Sequence, residues 1–369
     1  MNSRERIECA WRFEEPDRVP LEVNLSDSIR ADPRCARLLD LAAEYSDPWN
    51  YWQVPWGWMG LSPDRPVEEE EIECRPGEFR RVRHTLTTPA GIFTAITWHP
   101  NNSPDYHWEK RYISTLDDLE AITGANHSPR PFDAVTLQAE ARAHAGQDAF
   151  LTTGIPHPFG ALVRNTDQET VYSWLALEPD RIHRFLEIQI RQIVAELQAF
   201  SAIREPQYFV QTGLEMAIPP WMGQAQFDEF ILPHDSQIYA KIHRLNGKLR
   251  HHCHGNCMNF LVKMADMGID ALEPLEPPPQ GDVILSEAKR LVGDRLLLCG
   301  NITSPQFIFM TPEQVDEQVR QACADAKAGG GFVLRTTGGD GGFWNTPDPE
   351  RVLRNNEQMI ASWLKYGRY

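Results

Sequence analysis

The sequence predicts a (β/α)8 barrel of the TIM type with an N-terminal extension and an inserted β-hairpin, and three observations carry that expectation. From about residue 148 short apolar segments alternate with helical patterns without a break, the rhythm of parallel strands covered by helices. Polar residues cluster at nearly every strand end, where a barrel keeps its chemistry. No glycine-rich phosphate fingerprint follows the first strand, which disfavours a doubly wound open sheet.

The amino-terminal residues read as a short helix, then EEPDRVP with Pro16 and Pro20, then a first barrel strand over Leu21–Asn24. A helical segment from Cys35 to Tyr45 leads into DPWNYWQVPWGWMG, read as a loop, with Trp49, Tyr51, Trp52, Trp56 and Trp58 within ten residues. Such a stretch either closes over the barrel mouth, making Trp56 and Trp58 candidate substrate contacts, or packs as a satellite core beneath its own turns. Glu68–Glu73 reads as a solvated face, and RRVRHTLTTPAGIFTAITWHP as a hairpin turning at Pro89-Ala90-Gly91.

Six further strands are expected at 149–155, 207–215, 248–254, 270–276, 295–301 and 331–337. Helical patterns such as DEFILPHDSQIYAKIHRL, MNFLVKMADMG, ILSEAKRLVG and TPEQVDEQVRQACADAKAGGG separate them. With Leu21–Asn24 that makes seven strands, and the eighth has no clear place. The whole chain, 1–369, is expected to be one barrel domain, with the extension and hairpin occupying about 1–147.

The net charge of -16 and pI near 5.2, with no Lys/Arg cluster, argue against a nucleic-acid or anionic-membrane partner. Seven scattered cysteines point to a reducing compartment. The charged start MNSRERIECAW and the lack of any run near the ~20 apolar residues of a membrane span predict neither signal peptide nor anchor. A cytoplasmic enzyme acting on a small molecule fits these constraints.

Its candidate centre is LRHHCHGNCMNF. His252 and His254 lie two apart at the end of an expected strand, so their rings share one face. Two imidazoles so placed suit a divalent ion; core hydrogen bonding is the bland alternative. A third donor is needed, and Glu215, from the preceding strand's end, is the first choice, with Glu273, Cys299 and Asp340 as alternatives. A structural ion pair competes for Glu215 and Glu276. Glu273 or Glu276 would serve as acid or base, and Asn301 and Arg335 would meet substrate; a barrel-lining salt bridge explains Arg335 equally well. Asp282 reads as the N-cap of a helix beginning at Val283, Cys299 as a buried core thiol, and Gly341-Gly342 as a flexible loop. No GxSxG or Walker motif supports an acyl-transfer elbow or nucleotide cradle.

In order along the chain, RERIECAWRFEEPDRVP, TPAGIFTAITW, STLDDLEAI, GKLRHHCHGN, MGIDALEPLEPPPQGD, VGDRLLLCGNI, TPEQVDEQV, GGGFVLRTTGG and TPDPERV resemble the uroporphyrinogen decarboxylase superfamily. The branch near the cobalamin-dependent methyltransferases is the most similar. The resemblance implies a barrel whose mouth takes large or apolar substrates, and often a homodimer. In that branch an H-x-C pair and a later Cys bind zinc; here His252 matches the His, His254 fills the Cys position, and the later Cys falls near Gly338. An N,N,O set leaves the ion more electrophilic than a sulfur-rich one, suited to a water, an alkoxide or a methoxyl oxygen. The implied function is a zinc-dependent methyltransferase moving a methyl group between a small substrate and a corrinoid cofactor or corrinoid protein. The alternatives are a decarboxylase on another substrate and a non-catalytic corrinoid or tetrapyrrole binder. No Arg-rich amino-terminal segment like the one that grips porphyrinogen carboxylates is present; IRADPRCAR is the nearest basic stretch.

Overall fold

Parallel pairing of eight strands encloses the interior in the computed structural model, which describes residues 1–47, 49–54, 56–59, 61, 67–101, 106–125, 132–145, 150–339, 343 and 346–369. The strands are β1 (Leu21–Glu22), β2 (Trp49–Trp52), β3 (Glu68–Arg75), β4 (Phe79–Thr88), β5 (Gly91–Pro100), β6 (His107–Lys110), β7 (Phe150–Ile155), β8 (Tyr208–Thr212), β9 (Lys248–Cys253), β10 (Ala271–Pro274), β11 (Leu297–Ile302) and β12 (Phe332–Thr336). The barrel sheet runs β1-β12-β11-β10-β9-β8-β7-β2, each neighbouring pair parallel. This is the (β/α)8 architecture read from the sequence. The eighth strand is β2, hidden in the aromatic stretch taken for a loop: Trp49–Trp52 pairs with Phe150–Thr153. Its indoles mask the alternation because rings on both faces are wanted, Trp49 against Trp11 and Arg250, and Trp52 against Phe200.

The expected hairpin is the central pair of a four-stranded antiparallel sheet, β3-β4-β5-β6. Glu68–Glu71 is exposed as expected, but on an edge strand, where charge deters pairing with another chain. Trp58 joins this sheet to the barrel: its ring lies 5.2 Å from that of Phe93, and its indole N–H donates to Asn165 Oδ1 at 3.0 Å.

Covering helices follow the expected pattern with two breaks. Pro233 divides the long one into Gln224–Phe230 and Leu232–Arg244, and the helix after β9 begins as a 3-10 turn, Met258–Phe260. The helix after β10 starts at Leu285 with Ile284 as its N-cap; Asp282 instead accepts the Met258 N–H at 2.9 Å, tying two mouth loops together. Among the described residues no helix is long and apolar enough to cross a membrane.

Among the described residues β1 is not paired with β2, and the residues just ahead of β2 bind the backbone of β1 through main chain and side chains together. Leu21 N–H donates to Asp47 Oδ2 at 3.0 Å, Asp47 N–H donates to Leu21 O at 2.7 Å, and Val23 N–H donates to Ser46 Oγ at 3.1 Å. Asp47 is buried and pairs with the equally buried Arg6 of the first helix. Burial raises the Asp47 carboxyl above its ordinary range even though Arg6 opposes the shift. Arg6 keeps a second carboxylate, Asp17 at 2.8 Å, so removing Asp47 leaves two buried donors unpartnered, Arg6 Nη1 and the Leu21 N–H, rather than a lone charge. Asp47→Ala is therefore expected to lower unfolding free energy by about 2–4 kcal/mol in urea denaturation, and a loss below about 1 kcal/mol, the size of an exposed pair, would show that this tie is dispensable.

Candidate active site at the barrel mouth

Successive residues of β9 alternate between two environments. Arg250 faces the barrel interior and His251 the covering helices, and the alternation turns His252 and then His254 back inward. Arg250 is fully buried between two carboxylates and an indole: its Nη1 is 2.9 Å from Glu22 Oε2, its Nη2 is 2.5 Å from Glu273 Oε2, and its guanidinium lies 4.3 Å over the Trp49 ring. Arg335 pairs with Glu273 and lies 3.6 Å from Glu22. Two guanidiniums and two carboxylates from β1, β9, β10 and β12 thus neutralise one another beneath the mouth. Of the two sequence readings of Arg335, the barrel-lining salt bridge is the one built.

Directly above this layer, Glu273 turns its other oxygen to His252 Nδ1 at 3.3 Å. One level further, Glu276 Oε1 lies 2.9 Å from His254 Nδ1, and its Oε2 accepts the Gly255 N–H at 2.8 Å. The imidazole centroids are 4.5 Å apart with ring planes at 78°. With each Nδ1 facing a carboxylate, each Nε2 is left as the free donor, the arrangement found behind metal-ligating histidines. Burial, then the nearby His254 and Arg335, push His252 down to about 4, so its ring is neutral at pH 7. The hydrogen bond to Glu276 raises His254 above its ordinary value despite burial.

Glu215 sits on a 3-10 turn, Leu214–Ala217, rather than on a strand end. Its charge raises the basicity of both imidazoles, but its carboxylate is engaged elsewhere: Oε2 accepts the Gly213 N–H at 3.1 Å, and Oε1 is 3.7 Å from Arg164 Nη2. Among the described residues no group of three or more His, Cys, Asp and Glu side chains gathers closely enough to hold an ion. The imidazole pair offers two nitrogen donors, and Glu215 is held by Gly213 and Arg164. Asp340, with Gly341-Gly342, lies outside the described residues. Cys299 is the buried thiol expected, pushed up to about 12 by burial. Asn301 is partly exposed on β11, in register with Arg335.

The aromatic stretch contributes packing at this end of the barrel. Trp56 stacks on Phe200 with centroids 5.9 Å apart and donates its indole N–H to Gly154 O at 2.7 Å. Trp56 and Trp58 are both partly buried by this packing, and both also line a cavity with Pro156, Pro158 and Asn165.

Sequence reasoning passed over Glu22, Arg250 and a buried cluster behind β9. In that cluster His157 Nε2 contacts Asp235 Oδ2 at 2.8 Å, Tyr239 O–H donates to Gln211 Oε1 at 2.9 Å, and His251 packs edge-on to His157 at 5.5 Å. The i−2 spacing of Arg250 from His252 was a usable signal for a shared face; the His157–Asp235 pair, 78 residues apart, left none.

The fold and the strand-end site define a (β/α)8 barrel protein with its chemistry at the carboxyl-terminal mouth. The family model for uroporphyrinogen decarboxylase (URO-D) matches residues 85–342, from within β4 to beyond β12, and the chain belongs to that family. The curated uroporphyrinogen decarboxylase of Nitrosospira multiformis is 27% identical over 212 residues, 55% of this chain and 53% of that protein. That of Dechloromonas aromatica is 23% identical over 250 residues, 64% of this chain and 65% of that protein. The chain thus spans about half to two thirds of the length of the curated relatives it matches. In fold it is similar to a methyltransferase from Methanosarcina mazei, with a TM-score of 0.56, 16% identity and 99% of each chain covered.

The two histidines are expected to titrate on opposite sides of 6.5. In an imidazole NMR titration His252 stays neutral until about pH 4, His254 protonates above 6.5, and Glu276→Gln moves His254 downward. The linkage follows: the contribution of His254 to stability is complete below 6.5 and fades as pH rises through its folded value. His252 removes stability as pH falls from 6.5 toward 4, because only the unfolded chain takes up that proton. Coincident titration of the two rings would contradict the geometry.

Proposed function

We propose that this member of the uroporphyrinogen decarboxylase family is a zinc-dependent methyltransferase, moving a methyl group between a small substrate and a corrinoid carried by a protein partner. The observation that carries the reading is the imidazole pair, each Nδ1 turned to its own carboxylate and each Nε2 left as a donor. His252 and His254 would hold the ion, with Glu215 as the third protein donor. When bound, zinc supplies a Lewis acid that lowers the pKa of an oxygen or sulfur on the acceptor.

The chain's own residues do the rest. Glu273 orients His252 and is itself held by Arg250 and Arg335, so it acts through the ring rather than as a free base. Glu276 and His254 share a hydrogen bond in which a proton can be held or released at Nδ1, which makes this pair the acid–base element of the mouth.

Decarboxylation is the activity in the names of the curated relatives. A polycarboxylate would need surplus positive charge, whereas Arg250 and Arg335 are offset by Glu22 and Glu273. That balance favours methyl transfer over the decarboxylase reading. A binder without catalysis would shift the corrinoid spectrum and show no turnover.

Elemental analysis of the purified protein is expected to find about one zinc per chain, lost in His252→Ala, and the loaded protein, supplied with an alcohol or thiol as acceptor, to transfer the methyl group of a methylcorrinoid to that oxygen or sulfur. Stoichiometric zinc retained by His252→Ala, or none bound by the native chain, would overturn the metal reading.

A further inference from the structure

The barrel wall breaks its ladder at one place among the described residues. From β2 through β7 and on to β12 and β1 each strand pairs with the next, but β1 and β2 do not pair with each other. Asp47 and Ser46 tie this seam to Leu21 and Val23. Between the seam and the helix Ala36–Tyr45 lies a cavity of about 750 Å³, within the range of small-molecule sites. Glu22 lines it, whereas His252, His254, Glu215 and Glu276 do not. It is therefore a pocket apart from the imidazole pair.

Apolar groups make up most of its wall. Val23 comes from the strand side, Leu39, Ala42 and Ala43 from the helix, and the Trp49 and Tyr51 rings from β2. The charges around it are offset in sign. Glu22 faces Arg250 and Arg335, Asp47 faces Arg6, and the two exposed charges, Arg30 and Asp40, are opposite. A charged ligand would bring a charge with no surplus counter-charge to meet it, which an apolar wall penalises. A neutral ligand meets no such penalty.

Acceptor capacity nevertheless remains. A carboxylate offers about four lone-pair positions. Among the described residues Glu22 accepts one hydrogen bond, from Arg250 Nη2 to Oε1 at 3.2 Å, while Oε2 meets Arg250 Nη1 at 2.9 Å as an ion pair without hydrogen-bond geometry. Glu22 is 8% exposed, so a donor reaching it from the cavity bonds where the local dielectric is low and the bond is strong. Tyr51, 49% exposed, offers a ring beside it.

We infer that the β1–β2 seam is a second small-molecule site, for a neutral molecule with an apolar or aromatic body and a hydroxyl group, an alcohol or a phenol, whose O–H donates to Glu22.

The probes are benzyl alcohol and three relatives with the same ring: toluene lacks the hydroxyl, and benzoate and benzylammonium carry a charge. Each is titrated into the full chain while the Trp49 indole N–H resonance is followed by NMR. Benzyl alcohol is expected to shift that resonance saturably, with an affinity about tenfold or more above the other three, the worth of one hydrogen bond to a charged group. Ala42→Phe, which fills the cavity from the helix, is expected to weaken binding about tenfold or more. Should that half-buried position not fold, Ala43→Phe at its exposed neighbour makes the same test, and Ala195→Phe on the helix Pro179–Glu196 leaves the affinity unchanged. The absence of a saturable shift, or native affinity in both cavity variants, overturns the site. Tighter binding of benzoate or benzylammonium overturns the neutral class, and toluene binding as well as the alcohol overturns the bond to Glu22.

Discussion

Neutralisation of four buried charges inside the barrel is the constraint on which the rest of the structure depends. Glu22, Arg250, Glu273 and Arg335 come from four different strands, and β10, β11 and β12 must pair in register to bring them together. Buried charges of this kind are costly to desolvate and add little net stability, but losing one partner is severe. Their role is therefore specification. The layer fills the interior with groups that tolerate only one strand order, and it leaves Glu273 with one oxygen directed upward. His252 is oriented by that oxygen, so the electrostatics of the barrel floor and the alignment of the mouth are a single problem.

Much of this was legible in the chain. The alternation after residue 148 located six barrel strands to within a few residues, because parallel strands buried on both faces read as apolar runs bounded by turn residues. The i, i+2 spacing put His252 and His254 on one face, as the structure has it. Strand β2 escaped because tryptophans serve a strand with aromatic neighbours on both sides as well as they serve a loop. The four-stranded insertion was read as two strands because β3 opens with four consecutive glutamates, a composition that edge strands tolerate and propensity disfavours. Asp282 looked like a helix cap from its place before Val283, whereas its carboxylate reaches across to Met258, a tertiary contact that no local pattern encodes.

At the site, residue types were easier to read than roles. Glu273 and Glu276 were recognisable as mouth carboxylates, and both are there, but their oxygens are committed to imidazoles, arginines and a backbone N–H. That ties their work to the two rings: Glu273 orients His252, and Glu276 shares a hydrogen-bonded proton with His254. Arg335 was picked out for its position on the last strand, while Arg164, on a short helix across the mouth, carries the exposed charge. A cation's availability depends on which carboxylates surround it in three dimensions, and sequence does not supply that count.

X-ray absorption at the zinc edge of the loaded protein examines the proposed coordination sphere directly. Two imidazole nitrogens and oxygen donors at about 2.0–2.2 Å, with no sulfur shell, are what paired His252 and His254 donors require. A sulfur shell near about 2.3 Å, or a spectrum unchanged when His254 is replaced, would contradict it.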